Sequence, residues 1–136
     1  MNIKNTIIAL LLTFGIQSFG QESNTNELQQ HRFKTTTLSV TNKLKSGKWD
    51  KWSNAQDVNL VVTLDTKKNR IVIYSEIIQL FEIIEYQDMV ETKTNQTATF
   101  NCVDNEGEDC TIAIITRKNQ GNRKQMYVTY NDRILN

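Results

Sequence analysis

The strongest constraint on the fold is an alternation of apolar and polar side chains between Asp57 and Asp65. Every second residue of this stretch is apolar, namely Val58, Leu60, Val62 and Leu64. A period of two is typical of a strand with one buried face. The polar break at 66–69 is followed by the β-branched and aromatic run RIVIYS, so the two runs are predicted to form a hairpin.

The same alternation recurs in the runs TATFNCV, CTIAIIT and MYVTY, and a threonine-rich run, FKTTTLSVT, also favours a strand. Proline is absent, and beyond residue 20 glycine occurs only at Gly47, Gly107 and Gly121, each inside a polar break. The sequence therefore predicts a mainly β fold, an antiparallel meander that forms a small barrel or sandwich. A lipocalin-like barrel needs about eight strands. Six or seven are visible here, so an incomplete barrel or an unseen strand stays open.

One stretch does not fit the alternation. In EIIQLFEIIEYQ, residues 76–87, polar residues recur at every third position, whereas Ile77, Leu80, Phe81 and Ile84 fit helical spacing. Two interpretations remain for this stretch, a short helix or a turn followed by a strand.

The N-terminus indicates export. Residues 1–20 carry one charge, Lys4, then an apolar run of residues 7–16 and small residues at Ser18 and Gly20, which is typical of a secretory signal peptide. We expect residues 21–30 to be a flexible lead-in and residues 31–136 to be a single β-rich domain. Loss of the signal leaves fifteen residues of each charge, so nucleic acid is not an expected partner, and no membrane span is expected after cleavage.

The two cysteines of the chain flank an acidic loop in FNCVDNEGEDCTI. If the strands on either side form a hairpin, Cys102 and Cys110 lie opposite each other on its apolar face, within reach of a disulfide. The sequence of an exported protein therefore favours a disulfide, with a buried reduced pair or a reactive site as alternatives. Calcium binding by the acidic loop is disfavoured, because its glycine is in the fourth place and the distal glutamate of an EF-hand is missing.

The stretch KLKSGKWDKW, residues 43–52, is the candidate ligand-binding surface. It interleaves Trp49 and Trp52 with lysines that include Lys48 and Lys51, and aromatic faces beside cations can stack on sugars or bases and meet anionic groups. The alternative is structural: both tryptophans close the end of the barrel, and the lysines keep this hairpin soluble.

Groups for catalysis are scarce. His31 is the single histidine, and the sequence contains no C-x-x-C, H-x-x-x-H or G-x-S-x-G motif. We therefore expect no catalytic residues, no metal and no cofactor.

The segments SFGQ, KKNRIVIYSEIIQLFEII and FNCVDNEGEDCTIAIITRKNQ resemble small exported proteins of unknown function of the kind found in Bacteroidota. This resemblance implies export across a Gram-negative inner membrane, to the periplasm or the outside. The predicted function is a non-enzymatic β-rich module that binds a small molecule, a glycan or a protein. The alternatives are an envelope structural or interaction protein without a small ligand, and a small hydrolase.

Overall fold

The computed structural model describes residues 30–136, which form ten strands in one sheet. The strands are β1 (Gln30–Leu38), β2 (Val40–Asn42), β3 (Gln56–Asp65), β4 (Arg70–Tyr74), β5 (Gln79–Tyr86), β6 (Val90–Glu91), β7 (Asn95–Asp104), β8 (Asp109–Arg117), β9 (Arg123–Thr129) and β10 (Arg133–Leu135). A short 3₁₀ helix, Lys118–Gln120, joins β8 to β9. The predicted signal peptide and the lead-in up to residue 29 lie outside the described residues, and Gln30 is the exposed first residue of β1.

The strands form a nearly closed barrel. Their order is β1-β3-β4-β5-β7-β8-β9-β10-β2, with β6 paired to β7 beside this path, and every pairing is antiparallel. Only Ser39 separates β1 from β2, so these two strands are parts of one extended segment. Pairing of β2 with β10 therefore returns the sheet to its beginning, with eight strand positions around the ring. The predicted antiparallel meander and small barrel are confirmed.

One seam of the barrel is not sealed. The last strand, β10, pairs with β9 only through Ile134 and Leu135. Beyond β10, the free edges of β1 and β9 face each other with no ladder between them in the described chain. Because Leu135 pairs with Val128 on one side and with Val40 on the other, the two edges are about 10 Å apart where β10 ends, twice the usual spacing of strands.

The core lies inside the barrel. The predicted face of β3 points into it, with Val62 and Leu64 buried and Leu60 packed against them. The buried cluster comprises Val62, Leu64, Ile71, Ile73, Phe81, Ile83, Phe100, Cys102, Cys110, Ile112, Ile114, Val128 and Tyr130. These residues come from β3, β4, β5, β7, β8 and β9 and from Tyr130, which follows β9, whereas β1, β2 and β10 contribute none. Consequently, the interior is most densely packed on the side away from the seam.

The helix considered for residues 76–87 is wrong, and the alternative of a turn followed by a strand is confirmed. After a bend at 75–77 the chain enters β5, in which Phe81 and Ile83 point into the core. The register against β7 shifts between Ile83 and Glu85, because a β-bulge inserts Ile84 as an extra residue. This bulge interrupts the alternation of apolar and polar residues and leaves the apolar Ile84 exposed. The apolar residues of this stretch therefore have a spacing that also fits a helix.

Candidate functional site

The main feature of the barrel interior is a cavity of about 570 Å³ that opens through the seam. Its floor is apolar and consists of Leu60, Val62, Ile73, Ile114, Met126 and Val128. Its mouth lies between the two free edges, with Phe33 and Thr35 on β1 and Gln125 on β9 among the lining residues. A cavity of this size and polarity is within the range of small-molecule sites in proteins.

The charged residues around the cavity are all cations. They are Lys34, Arg123, Lys124 and Arg133, and no aspartate or glutamate of residues 30–136 lines the cavity. The whole sequence is nearly balanced, with sixteen basic and fifteen acidic residues. The positive mouth is therefore a local arrangement and not a consequence of overall charge.

Three of these cations gather at the end of the seam farthest from β10. The chain segments on the two sides of β10 run in the same direction, and Val128 is level with Val40 because both pair with Leu135. Five residues earlier on each side, Arg123 is level with Thr35, which is next to Lys34. Lys124 lies on the same face of β9 as the core residues Met126 and Val128, and its Nζ donates a hydrogen bond of 2.9 Å to Thr116 Oγ1. Their charges thus border the opening, whereas the apolar floor lies inside.

The fourth cation, Arg133, is paired with neighbouring carboxylates and stabilises the start of β10. Its two terminal nitrogens donate to the two carboxylate oxygens of Glu108 at 3.1 and 3.0 Å. Its guanidinium also lies 3.8 Å from the centre of the Tyr130 ring, a cation–π contact. Hydrogen bonds to Glu108 and then to Asp132 raise the pKa of Arg133. Its guanidinium therefore stays charged, and that charge is paired with these two carboxylates rather than open to a ligand.

Asp104 connects this arrangement to the turn between β7 and β8. Its Oδ1 accepts hydrogen bonds from the backbone N–H groups of Glu106 and Glu108, and its Oδ2 accepts one from the Tyr130 hydroxyl at 2.9 Å. Burial would raise the pKa of Asp104, but these hydrogen bonds and the charge of Arg133 lower it on balance. Burial and the hydrogen bond to Asp104 raise the pKa of Tyr130. The acidic loop is therefore held by internal hydrogen bonds.

The predicted disulfide between Cys102 and Cys110 is wrong, although the predicted pairing is confirmed. The two residues are directly opposite in the ladder between β7 and β8, and both are buried, yet both thiols are free. The Cys102 thiol points along its own strand toward the carbonyl oxygen of Phe100, at 3.7 Å, and not across to Cys110. Opposite positions in antiparallel strands thus bring the cysteines close without joining them.

The free thiols are poorly suited to redox chemistry. Burial raises the pKa of Cys102 to about 11. Burial, followed by the effects of Cys102 and Asp104, raises the pKa of Cys110 to about 12. Because the thiolate is the reactive form, such groups are inert near neutral pH. Within residues 30–136 no three histidine, cysteine or acidic side chains are placed to hold a metal ion, and Gly107 adopts the positive φ of +82° expected at a hairpin tip.

The tryptophan and lysine cluster lies outside the barrel. Residues 50–53 run along the free side of β2, where Asp50 and Ser53 donate backbone hydrogen bonds to Asn42 and Val40. Both tryptophans are half-exposed: Trp49 contacts Lys43, whose Nζ is 5.7 Å from its ring centre, and Trp52 packs edge-on against Tyr127 at 6.3 Å. The side chains of Lys48 and Lys51 are exposed. None of the four candidate residues, Trp49, Trp52, Lys48 and Lys51, lines the cavity.

Sequence reasoning therefore missed the cavity and its charged mouth. The one available signal was the position of Lys124, which shares a period-two face with Met126 and Val128 and so places a cation on the inner side of β9. His31, the single histidine, is exposed on β1 and does not line the cavity.

Comparisons with known proteins give no assignment, since no family model, no curated protein and no solved structure matches the chain. The part of the chain that the structure describes contains no helix with the length and apolar character needed to cross a membrane.

Proposed function

We propose that this protein is an exported, non-enzymatic barrel that binds a small apolar molecule in its interior, in the periplasm or outside the cell. The observation that carries this proposal is the cavity of about 570 Å³ with an apolar floor and an opening at the seam. The signal-like residues 1–20 support export. The position of His31 outside the cavity and the inert thiols support a binding function without catalysis.

The energetics of such a site favour an apolar ligand. Each methylene group that leaves water for the floor contributes about 0.8 kcal/mol. The polar residues at the mouth can fix the orientation of the ligand, as a few placed polar groups do in most small-molecule sites. The barrel wall is held by hydrogen-bonded ladders on every side but one, so a ligand enters without unfolding the sheet.

The experiment is a titration of the purified protein with the neutral fluorescent probe N-phenyl-1-naphthylamine. We expect a saturable increase in fluorescence. Leu60→Trp fills the floor from inside and should weaken probe binding about tenfold or more, since overpacking of a site costs on the order of 1–3 kcal/mol. The matched control is Asn59→Trp, the same change on the exposed side of β3.

The control should bind the probe as the unmodified protein does. Circular dichroism checks that both variants keep the β fold. The proposal fails if the probe shows no saturable binding, or if both tryptophan variants weaken binding equally.

A second candidate function is protein binding by strand addition. The unpaired edges of β1 and β9 favour it, because free backbone groups can hydrogen-bond an added strand. An added strand would hydrogen-bond successive backbone amides of both edges and protect them from hydrogen exchange. A small molecule in the cavity would leave these amides unprotected. Exchange measured with and without the bound partner distinguishes the two functions.

A further inference from the structure

We infer that the ligand is an amphipathic anion, whose apolar tail enters the cavity and whose negative head group stays at the seam beside Lys34, Arg123 and Lys124. This inference rests on the proposed function, to which it adds the chemical class of the ligand. It follows from the separation of an apolar floor from a mouth at which the charged side chains of residues 30–136 are all positive.

Within residues 30–136, the three cations at the mouth form no ion pair with an acidic side chain. Arg123 Nε donates to the neutral Gln120 side chain at 2.9 Å, and Lys124 donates to the neutral hydroxyl of Thr116. The ion pairs found within residues 30–136 join Lys118 to Glu91 and Arg133 to Glu108 and Asp132. The positive charges at the seam are therefore available to a ligand, in contrast to that of Arg133.

The position of these cations also fits a head group and not a fully buried anion. Lys34 and Arg123 lie on the two facing edges and flank the opening from both sides, with Lys124 between them and the floor. A head group placed there keeps contact with water, so it avoids the desolvation penalty of a buried ion. The tail alone enters the apolar interior. Because no aspartate or glutamate side chain of residues 30–136 lines the cavity, a cationic head group would meet repulsion from Lys34, Arg123 and Lys124 at the same place.

The test compares ligands with the same tail and different heads. Dodecanoate, dodecanol and dodecylamine are used to displace N-phenyl-1-naphthylamine from the full protein at low ionic strength. Three exposed cations beside one anionic head group should make dodecanoate bind about tenfold tighter than dodecanol. Dodecylamine should bind most weakly. The preference for dodecanoate should shrink as salt is added.

Variants locate the head group. The triple variant Lys34→Gln/Arg123→Gln/Lys124→Met should lose the preference for dodecanoate over dodecanol, because its affinity for dodecanoate falls by about tenfold. The matched control, Lys45→Gln/Lys48→Gln/Lys51→Gln, removes as much charge from the exposed loop after β2 and should keep the preference. The single variant Lys34→Gln, on an exposed side chain, gives a milder version of the same test if the triple variant unfolds.

The outcomes separate the two claims. If dodecanol binds as tightly as dodecanoate, or if the mouth variants keep the preference, the inference is wrong while the binding function stands. If the neutral probe does not bind at all, the binding function fails and the inference with it. Vesicles of phosphatidylglycerol distinguish a free amphiphile from a membrane surface. Sedimentation of the protein with them, without binding of dodecanoate, would overturn the inference.

Discussion

Replacement of Arg133 by methionine should destabilise the barrel at its closure. Arg133 begins β10, the three-residue strand that joins β9 to β2. The substitution keeps an unbranched apolar side chain of similar length, but removes the paired hydrogen bonds to Glu108 and the stacking over Tyr130. The change therefore tests how strongly side chains, and not only the short backbone ladder, hold the ring together.

The expected cost is about 1–2 kcal/mol. The side chains of Arg133 and Glu108 are 32% and 40% exposed, so solvent screening limits their ion pair to about 0.5–1 kcal/mol despite its paired geometry. The cation–π contact with Tyr130 adds about 0.5–1 kcal/mol. In urea, where a domain of this size has a slope of roughly 1–1.5 kcal/mol per molar, the midpoint of unfolding should fall by about 1 M.

A double-mutant cycle isolates the ion pair. Urea unfolding of Arg133→Met, Glu108→Gln and the combined variant should give a coupling energy of about 0.5–1 kcal/mol. The control cycle uses Asp132→Asn, because Asp132 also bonds Arg133 but is 69% exposed and should show almost no coupling. A coupling with Glu108 no larger than that with Asp132 would refute the reasoning.

Two further predictions concern the core. Phe81→Ala should lower the free energy of unfolding in urea by about 3–5 kcal/mol, because the ring is fully buried. Ile84→Ala, at an exposed position of the same strand, should lower it by less than about 0.5 kcal/mol. Equal losses would contradict the orientation of β5. The thiol pKa is about 9 in the unfolded chain, and burial raises it to about 11 for Cys102 and about 12 for Cys110 in the folded protein. The free energy of unfolding should therefore fall as the pH rises above about 9, because the unfolded chain releases the thiol protons first. Unfolding measured across this range should show a smaller loss in Cys102→Ala/Cys110→Ala, and an identical loss would argue against the raised thiol pKa values.

The strands could be predicted from sequence where one face is buried and the alternation is unbroken. Val58 to Leu64 and the residues from Ala98 to Cys102 show this pattern, and the structure places both stretches as expected. The period of two depends only on neighbours along the chain. The stretch around Ile84 was ambiguous, because a bulge adds one residue and shifts the alternation to the other face.

The cavity could not be predicted, because it depends on distances between strands that are far apart in the sequence. Nothing in the run RIL indicates that β10 pairs with β9 through only two residues, or that Lys34 and Arg123 then face each other across a gap. The pairing of Cys102 with Cys110 was readable from hairpin geometry. The bond was not, since it depends on the rotation of each side chain and on the ionisation of the thiols.

The closure through β10 also has a consequence for the order of folding. The longest connection in any other ladder on the path around the ring is residues 39–55, between β1 and β3, whereas residues 43–132 lie between β2 and β10. Closing so long a loop carries the largest entropy cost, so we expect this ladder to form last, after the rate-limiting step. Stopped-flow measurements on Arg133→Met would then show faster unfolding with unchanged refolding, and slower refolding would contradict this order. The three residues of β10 would thus govern how long the folded barrel persists, and have little influence on how quickly it forms.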